Sequence, residues 1–161
     1  MGMQRWPGCI NNAVDLNQIR HTKQKRLSWF KPDEEFSMTK TVQDMLAEAR
    51  SAVPNITPQE AMKMANDPNV VFVDLRDGTE VQASGKVKGA VHIPRGLLEF
   101  QADPASSSHV QALTQDKTII TYCAAGGRAA LGGKTLKDMG YKNVMNMGGF
   151  AGWKDSGGEV E

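Results

Sequence analysis

Lys117-Thr-Ile-Ile-Thr-Tyr-Cys-Ala-Ala-Gly-Gly-Arg-Ala-Ala-Leu-Gly-Gly-Lys-Thr-Leu-Lys-Asp-Met139 holds a strand, a tight loop and a helix in one run. Residues 118–122 are β-branched or aromatic and read as a buried strand. Residues 128–139 read as a helix, with Leu131, Leu136 and Met139 turned to the core and Gly140 as its stop. Between them lies Cys123, followed by Ala124, Ala125, Gly126 and Gly127. In open α/β sheets ligands bind outside the carboxyl ends of the strands, which is where this cysteine falls.

Small residues let successive backbone N–H groups curl round one centre, so residues 124–128 predict an anion-binding nest around the sulfur. The helix N-terminus adds unpaired N–H groups and partial positive charge, and Arg128 adds a full one. Thiolates are stabilised in such surroundings, and with side chains this small the sulfur is expected to stay open to a partner. An isolated free cysteine is more often an inert core residue. The Gly-Gly loop, the arginine and the following helix favour a nucleophile.

Working outward, residues 70–75 form a near-continuous apolar run, expected as a central parallel strand buried on both faces. Asp74 and Arg76 sit at its carboxyl end, near the expected site, where they are expected to bind each other or loop backbone; the family resemblance described below implies a supporting role for both. Residues 90–93 read as another strand, and Arg95, just beyond it, either faces the crevice to bind an anionic substrate or is a solvated surface arginine. His92 alternates with apolar neighbours and reads as structural rather than as a base. Residues 143–147 read as the last strand, and Phe150 and Trp153 open a short covering helix. Upstream, Val42, Met45, Leu46, Ala49 and Val53 fall on one helical face. Thr41 with Asp44, and Thr57-Pro58 with Glu60, are helix starts of the capping-box kind.

Four stretches, in order, resemble the rhodanese family of sulfurtransferases. They are Val70-Val-Phe-Val-Asp-Leu-Arg-Asp77, Gly85-Lys-Val-Lys-Gly-Ala-Val-His-Ile-Pro94, the C-x4-R loop from Cys123 to Arg128, and Val144-Met-Asn-Met-Gly-Gly-Phe-Ala-Gly-Trp153. Lys86 stands where that family usually has His, and Lys88 replaces a common Pro. The resemblance implies an α/β, three-layer rhodanese-like domain over residues 55–158. Its mostly parallel sheet would have about five strands, with helices on both faces. It also implies the chemistry: the Cys123 thiolate takes the outer sulfur of a donor such as thiosulfate, holds it as a persulfide, and passes it to a thiophilic acceptor. Cyanide, a small thiol or a protein thiol would serve as acceptor. The N–H groups of Ala124, Ala125, Gly126, Gly127 and Arg128 would steady the anion, and the Arg128 guanidinium would orient donor oxygens.

Two rival readings keep the fold. One is a cysteine-dependent phosphatase or arsenate reductase, which in a related family carries the longer C-x5-R loop. The other is a non-catalytic binding module, whose usual mark is loss of the cysteine.

The chain has 161 residues and a net charge of +1, so charge alone points to neither nucleic acid nor a membrane surface as partner. Residues 1–37 carry a net +2 and read as a flexible or non-native leader; residues 38–54 read as an N-terminal helix. Two cysteines, Cys9 and Cys123, make no disulfide framework, and no Cys/His spacing reads as a metal site. No cofactor is expected. A free reactive thiol suits a reducing compartment, so a cytoplasmic location is expected.

Overall fold

The computed structural model describes residues 39–161; the expected leader, Cys9 included, lies outside the described residues. Residues 40–161 form one compact unit. Helix α1 (Val42–Ala52) starts as its sequence dictates: the Thr41 side chain accepts from the Asp44 N–H, and Asp44 accepts from the Thr41 N–H at 2.9 Å. The same device opens α2 (Pro58–Lys63) through Thr57 and Glu60. There follow β1 (Val70–Asp74), α3 (Gly78–Ser84), β2 (Val91–His92), a 3₁₀ turn (Arg95–Leu97) and α4 (Leu98–Ala102). The chain ends with β3 (Thr118–Cys123), α5 (Gly127–Asp138), β4 (Asn143–Gly149) and α6 (Phe150–Asp155).

The four strands form one parallel sheet in the order β2-β1-β3-β4. Beyond β4 an isolated parallel bridge joins Asn55 to Asn146, where a fifth strand would lie. Parallel strands need crossover helices, and these cover both faces. Alternation along β3 sends Ile119 and Cys123 to one core, with Leu75, Ala129 and Leu136. Ile120 and Tyr122 go to the other, with Phe72, Phe150 and Trp153. Phe72 meets Trp153 edge to face, with ring centroids 5.5 Å apart.

Two helices depart from their apolar pattern. In α1, Ala49 and Val53 are buried, but Val42 is 59% and Met45 44% exposed, so only its second half packs. In α5 the buried face is Ala129, Ala130, Gly132, Gly133 and Leu136, while Leu131 is half-buried. Glycine decides this. A Cβ on Gly132 would sit 2.4 Å from Leu75 Cδ1, and one on Gly133 3.0 Å from Val53 Cγ1. The helix therefore lies on the sheet and on α1 through its backbone, closer than leucine knobs would permit.

The last three residues close the molecule. Lys86 and Glu161 exchange backbone hydrogen bonds, Lys88 N–H donates to Glu159 O, and the Lys86–Glu161 and Lys88–Glu159 side chains pair. Lys86 and Lys88, which stand where the resembled family usually has His and Pro, are therefore tied to this tail.

Candidate active site

Cys123 ends β3, beside β1 in the middle of the sheet. The Thr121 hydroxyl donates to Ala129 O at 3.1 Å, fixing the strand end to the first turn of α5. On the other face, the Tyr122 hydroxyl accepts from the Val87 N–H at 3.0 Å. Burial first, then the negative charge of Asp74, pushes that phenol well above its ordinary range, so it stays protonated. Between these anchors the chain reverses. Gly126 takes φ +88°, and its N–H points back at Cys123 Sγ at 3.1 Å. A side chain would be strained there, and its Cβ would meet Gly148 Cα at 3.1 Å. The neighbouring Gly149 is equally close: its Cβ would lie 2.7 Å from Ala124 O. The loop thus rests on the glycines that end β4.

The sulfur is not left open, as the small loop residues had led us to expect. Cys123 is 1% exposed, whereas Ala124 and Ala125 are exposed. The turn at Gly126 brings its backbone N–H back onto the thiol, which is buried at the strand end.

Arg128 does not reach into this bowl either. Its Nη1 and Nη2 donate to Glu80 at 2.7 and 2.8 Å, and Nη1 lies 3.3 Å from Asp77. The hydrogen bonds from Arg128 hold the Glu80 carboxyl down at about 2, and Glu80 in turn raises the guanidinium. Glu80 also accepts from the Asp77 N–H at 3.0 Å, so one carboxylate caps α3 and clamps the start of α5. Asp77 and Glu80 open α3, and their position just beyond β1 was the signal available in the sequence.

Asp74 and Arg76 pair with each other. Arg76 Nε donates to Asp74 Oδ1 at 2.9 Å, and both are buried. Arg76 also binds Ser84 Oγ and Gly85 O and lies 4.0 Å from the Phe150 ring centroid. His92 Nε2 stands 2.9 Å from Arg76 O. These groups shape the carboxyl end of β1. Arg95, expected to bind the substrate, is not brought to the loop. Its Nη1 bonds both oxygens of Glu99 (2.9 and 3.0 Å) and its Nη2 bonds Thr135 Oγ1 (3.0 Å), two turns along α5 from Gly127. The i,i+4 spacing from Arg95 to Glu99 on one short helical run takes the side chain sideways.

Among the described residues, no group of three or more His, Cys, Asp or Glu is arranged to hold a metal ion. No described helix is long and apolar enough to cross a membrane. The geometry is that of a buried thiol under a backbone cradle at the head of a helix, and the Rhodanese-like domain family matches residues 57–156. The chain belongs to that family.

Other rhodanese-like and related proteins place it further. A solved protein of unknown function from Rhodopseudomonas palustris, described as a possible tyrosine phosphatase, is 39% identical. Its TM-score is 0.71, with 78% of this chain and 97% of that one covered. The polysulfide-sulfur transferase homodimer of Wolinella succinogenes is 30% identical, at a TM-score of 0.60, covering 81% and 93%. A sulfurtransferase of Allochromatium vinosum is 26% identical over 98 residues, 60% of this chain and 83% of that one. The rhodanese-like chain spans 57% of the length of a longer Bacillus subtilis relative, and 23% of a tRNA uridine(34) hydroxylase from Pectobacterium carotovorum.

Proposed function

We propose that this rhodanese-like domain is a sulfurtransferase with Cys123 as its nucleophile. The observation that carries the reading is the Gly126 N–H aimed at Cys123 Sγ at the head of α5. A hydrogen bond and a helix N-terminus favour the thiolate and, one atom further out, a terminal persulfide anion. In the first step the Cys123 thiolate attacks the sulfane sulfur of a donor. A sulfur–sulfur bond forms at Cys123, the donor's own bond to that sulfur breaks, and the electron pair leaves with the donor remnant: sulfite from thiosulfate, a thiolate from an organic persulfide. In the second step cyanide or a thiol attacks the outer sulfur, and the Cys123 thiolate leaves.

The phosphatase reading gains interest from the Rhodopseudomonas palustris relative. Here, however, the guanidinium that would clamp phosphate oxygens is engaged by Glu80. The loop is also the shorter C-x4-R form.

The test is mass spectrometry of protein exposed to thiosulfate without reductant. A gain of one sulfur atom on Cys123, discharged by cyanide, is expected. Cys123→Ser should gain none, lose sulfur transfer to the uncatalysed rate and keep its Tm, because a serine hydroxyl stays protonated in the same cradle. An unaltered rate in that variant, or faster hydrolysis of an aryl phosphate than sulfur transfer, would sink the reading.

A further inference from the structure

The described residues leave five large apolar side chains exposed: Val42, Met45, Leu97, Phe100 and Val160. Four of them sit on the two segments that flank α5 on one face of the sheet. Val42 and Met45 lie in the first turns of α1, which starts at its capping box about two turns ahead of the packed residues Ala49 and Val53. Val53 then lies against Gly133 of α5. Leu97 and Phe100 belong to the 3₁₀ turn and α4, whose Leu98 lies against Gly132. Between the flanks is a groove of about 250 Å³ lined by Met45, Arg95, Leu131 and Thr135. The charges round it are paired: Lys40 with Glu48 at 2.6 Å, Arg95 with Glu99 at 2.9 Å and Lys134 with Asp138 at 2.6 Å. Three cations balanced by three anions leave little net field, so the face selects neither a strongly acidic nor a strongly basic partner.

Alternating charge of this kind is complementary to itself. In a two-fold dimer each contact of residue i with residue j is repeated with the copies exchanged. Along the chain the midpoint between Val42 and Met45 nearly coincides with the midpoint between Lys40 and Glu48. We infer that α1 is a homodimer seam. Two copies set their α1 helices antiparallel about an axis at that midpoint, with Val42 of each copy on Met45 of the other and Lys40 of each copy facing Glu48 of the other. The ion pair that each chain makes with itself is thereby exchanged for two pairs between chains. Asp44, also near the axis, is drawn back to the Thr41 N–H and hydroxyl at 2.9 and 2.6 Å, away from its own copy. Val42 and Met45 alone cover too little, since a stable interface buries about 1,200 Å² or more in total. Leu97 and Phe100, across the groove, widen the apolar surface. Association in the micromolar rather than the nanomolar range is expected.

Sedimentation velocity of the full chain over about 1 to 500 μM should show a shift from monomer to dimer. Peroxide footprinting should show Met45 oxidising more slowly as that dimer forms. Met45→Lys, which sets two ammonium groups on the seam, should raise the dimer Kd by at least about tenfold and leave the Tm close to the parent's. A mixture then tests the pairing. Lys40→Glu and Glu48→Lys should each weaken the homodimer, because like charges then face each other twice. Mixed one to one at low salt, the two variants should form a mixed dimer about tenfold tighter than either homodimer, and lose that preference at high salt. A Lys40–Glu48 pair that acts only within one chain predicts no such preference. A monomer at every concentration, a dimer indifferent to Met45→Lys, or no preference for the mixed dimer would overturn the inference. So would protection of Met45 that does not change with concentration, which would give this face to another part of the same chain.

Discussion

Arg128 is worth following as a single residue, because its partner is far away in sequence. Glu80 lies 48 positions earlier, on a different helix. A C-x4-R motif says that a cation follows the loop; it does not say where the cation points, since that depends on a carboxylate delivered by another crossover. The same limit hid the fate of Arg95, whose side chain follows Glu99 and Thr135. The thiol and the small loop residues were legible because they are local. The Arg128–Glu80 pair has a pH signature. The Glu80 carboxyl falls from its ordinary 4.5 to about 2 in the folded protein. Its stabilisation is therefore complete above about pH 4.5 and is lost progressively as the pH falls toward 2. Glu80→Gln should lower stability at neutral pH and flatten the acid limb of the stability curve across that window. Urea melts between pH 2 and 7 would show it, and an acid limb of unchanged slope would rule out the pair as its source.

At the scale of elements, the strands and capped helices were legible for an energetic reason. A parallel strand buried on both faces must be a continuous apolar run, and a capping box satisfies orphan N–H groups within four residues. Helix α5 was harder. Its pattern of Leu131, Leu136 and Met139 suggested an ordinary apolar stripe, whereas the buried face is largely alanine and glycine. Close approach of two backbones leaves no apolar signal, only glycines that look like helix breakers. Gly132→Ala tests this. In an exposed helix the change would gain stability through propensity, about 1 kcal/mol. Here the new methyl meets Leu75 and Leu98, both fully buried, at 2.4 and 3.1 Å. A net loss of about 1–3 kcal/mol is expected from overpacking. Chemical denaturation showing a gain would mean that α5 sits less tightly on the sheet than described.

For the molecule as a whole, the tail matters beyond its size. Removing residues 159–161 would delete the backbone bonds to Lys86 and Lys88 and leave Trp153 Nε1, which donates to Glu159 O at 3.0 Å, without its acceptor. A Tm lower by several degrees is expected, about 4 °C for each kcal/mol in a domain of this size. Lys88→Ala, which removes only an exposed ion pair, should move the Tm far less. A thermal melt in which the two variants behave alike would show that the clasp is electrostatic rather than backbone-held. The placement of Cys123 has one more consequence, in time rather than in space. Its cradle needs β3 beside β4, for the glycine support, and α3 beside α5, for the Glu80 clamp. While the chain is being made, residues 118–128 emerge with none of these in place, so the thiol begins as an ordinary solvent-exposed cysteine. It becomes sheltered in one event, when the crossovers dock. The shelter of this position is thus acquired with the tertiary fold, and loss of a bulky alkylating reagent's access to Cys123 would mark the moment of docking during refolding.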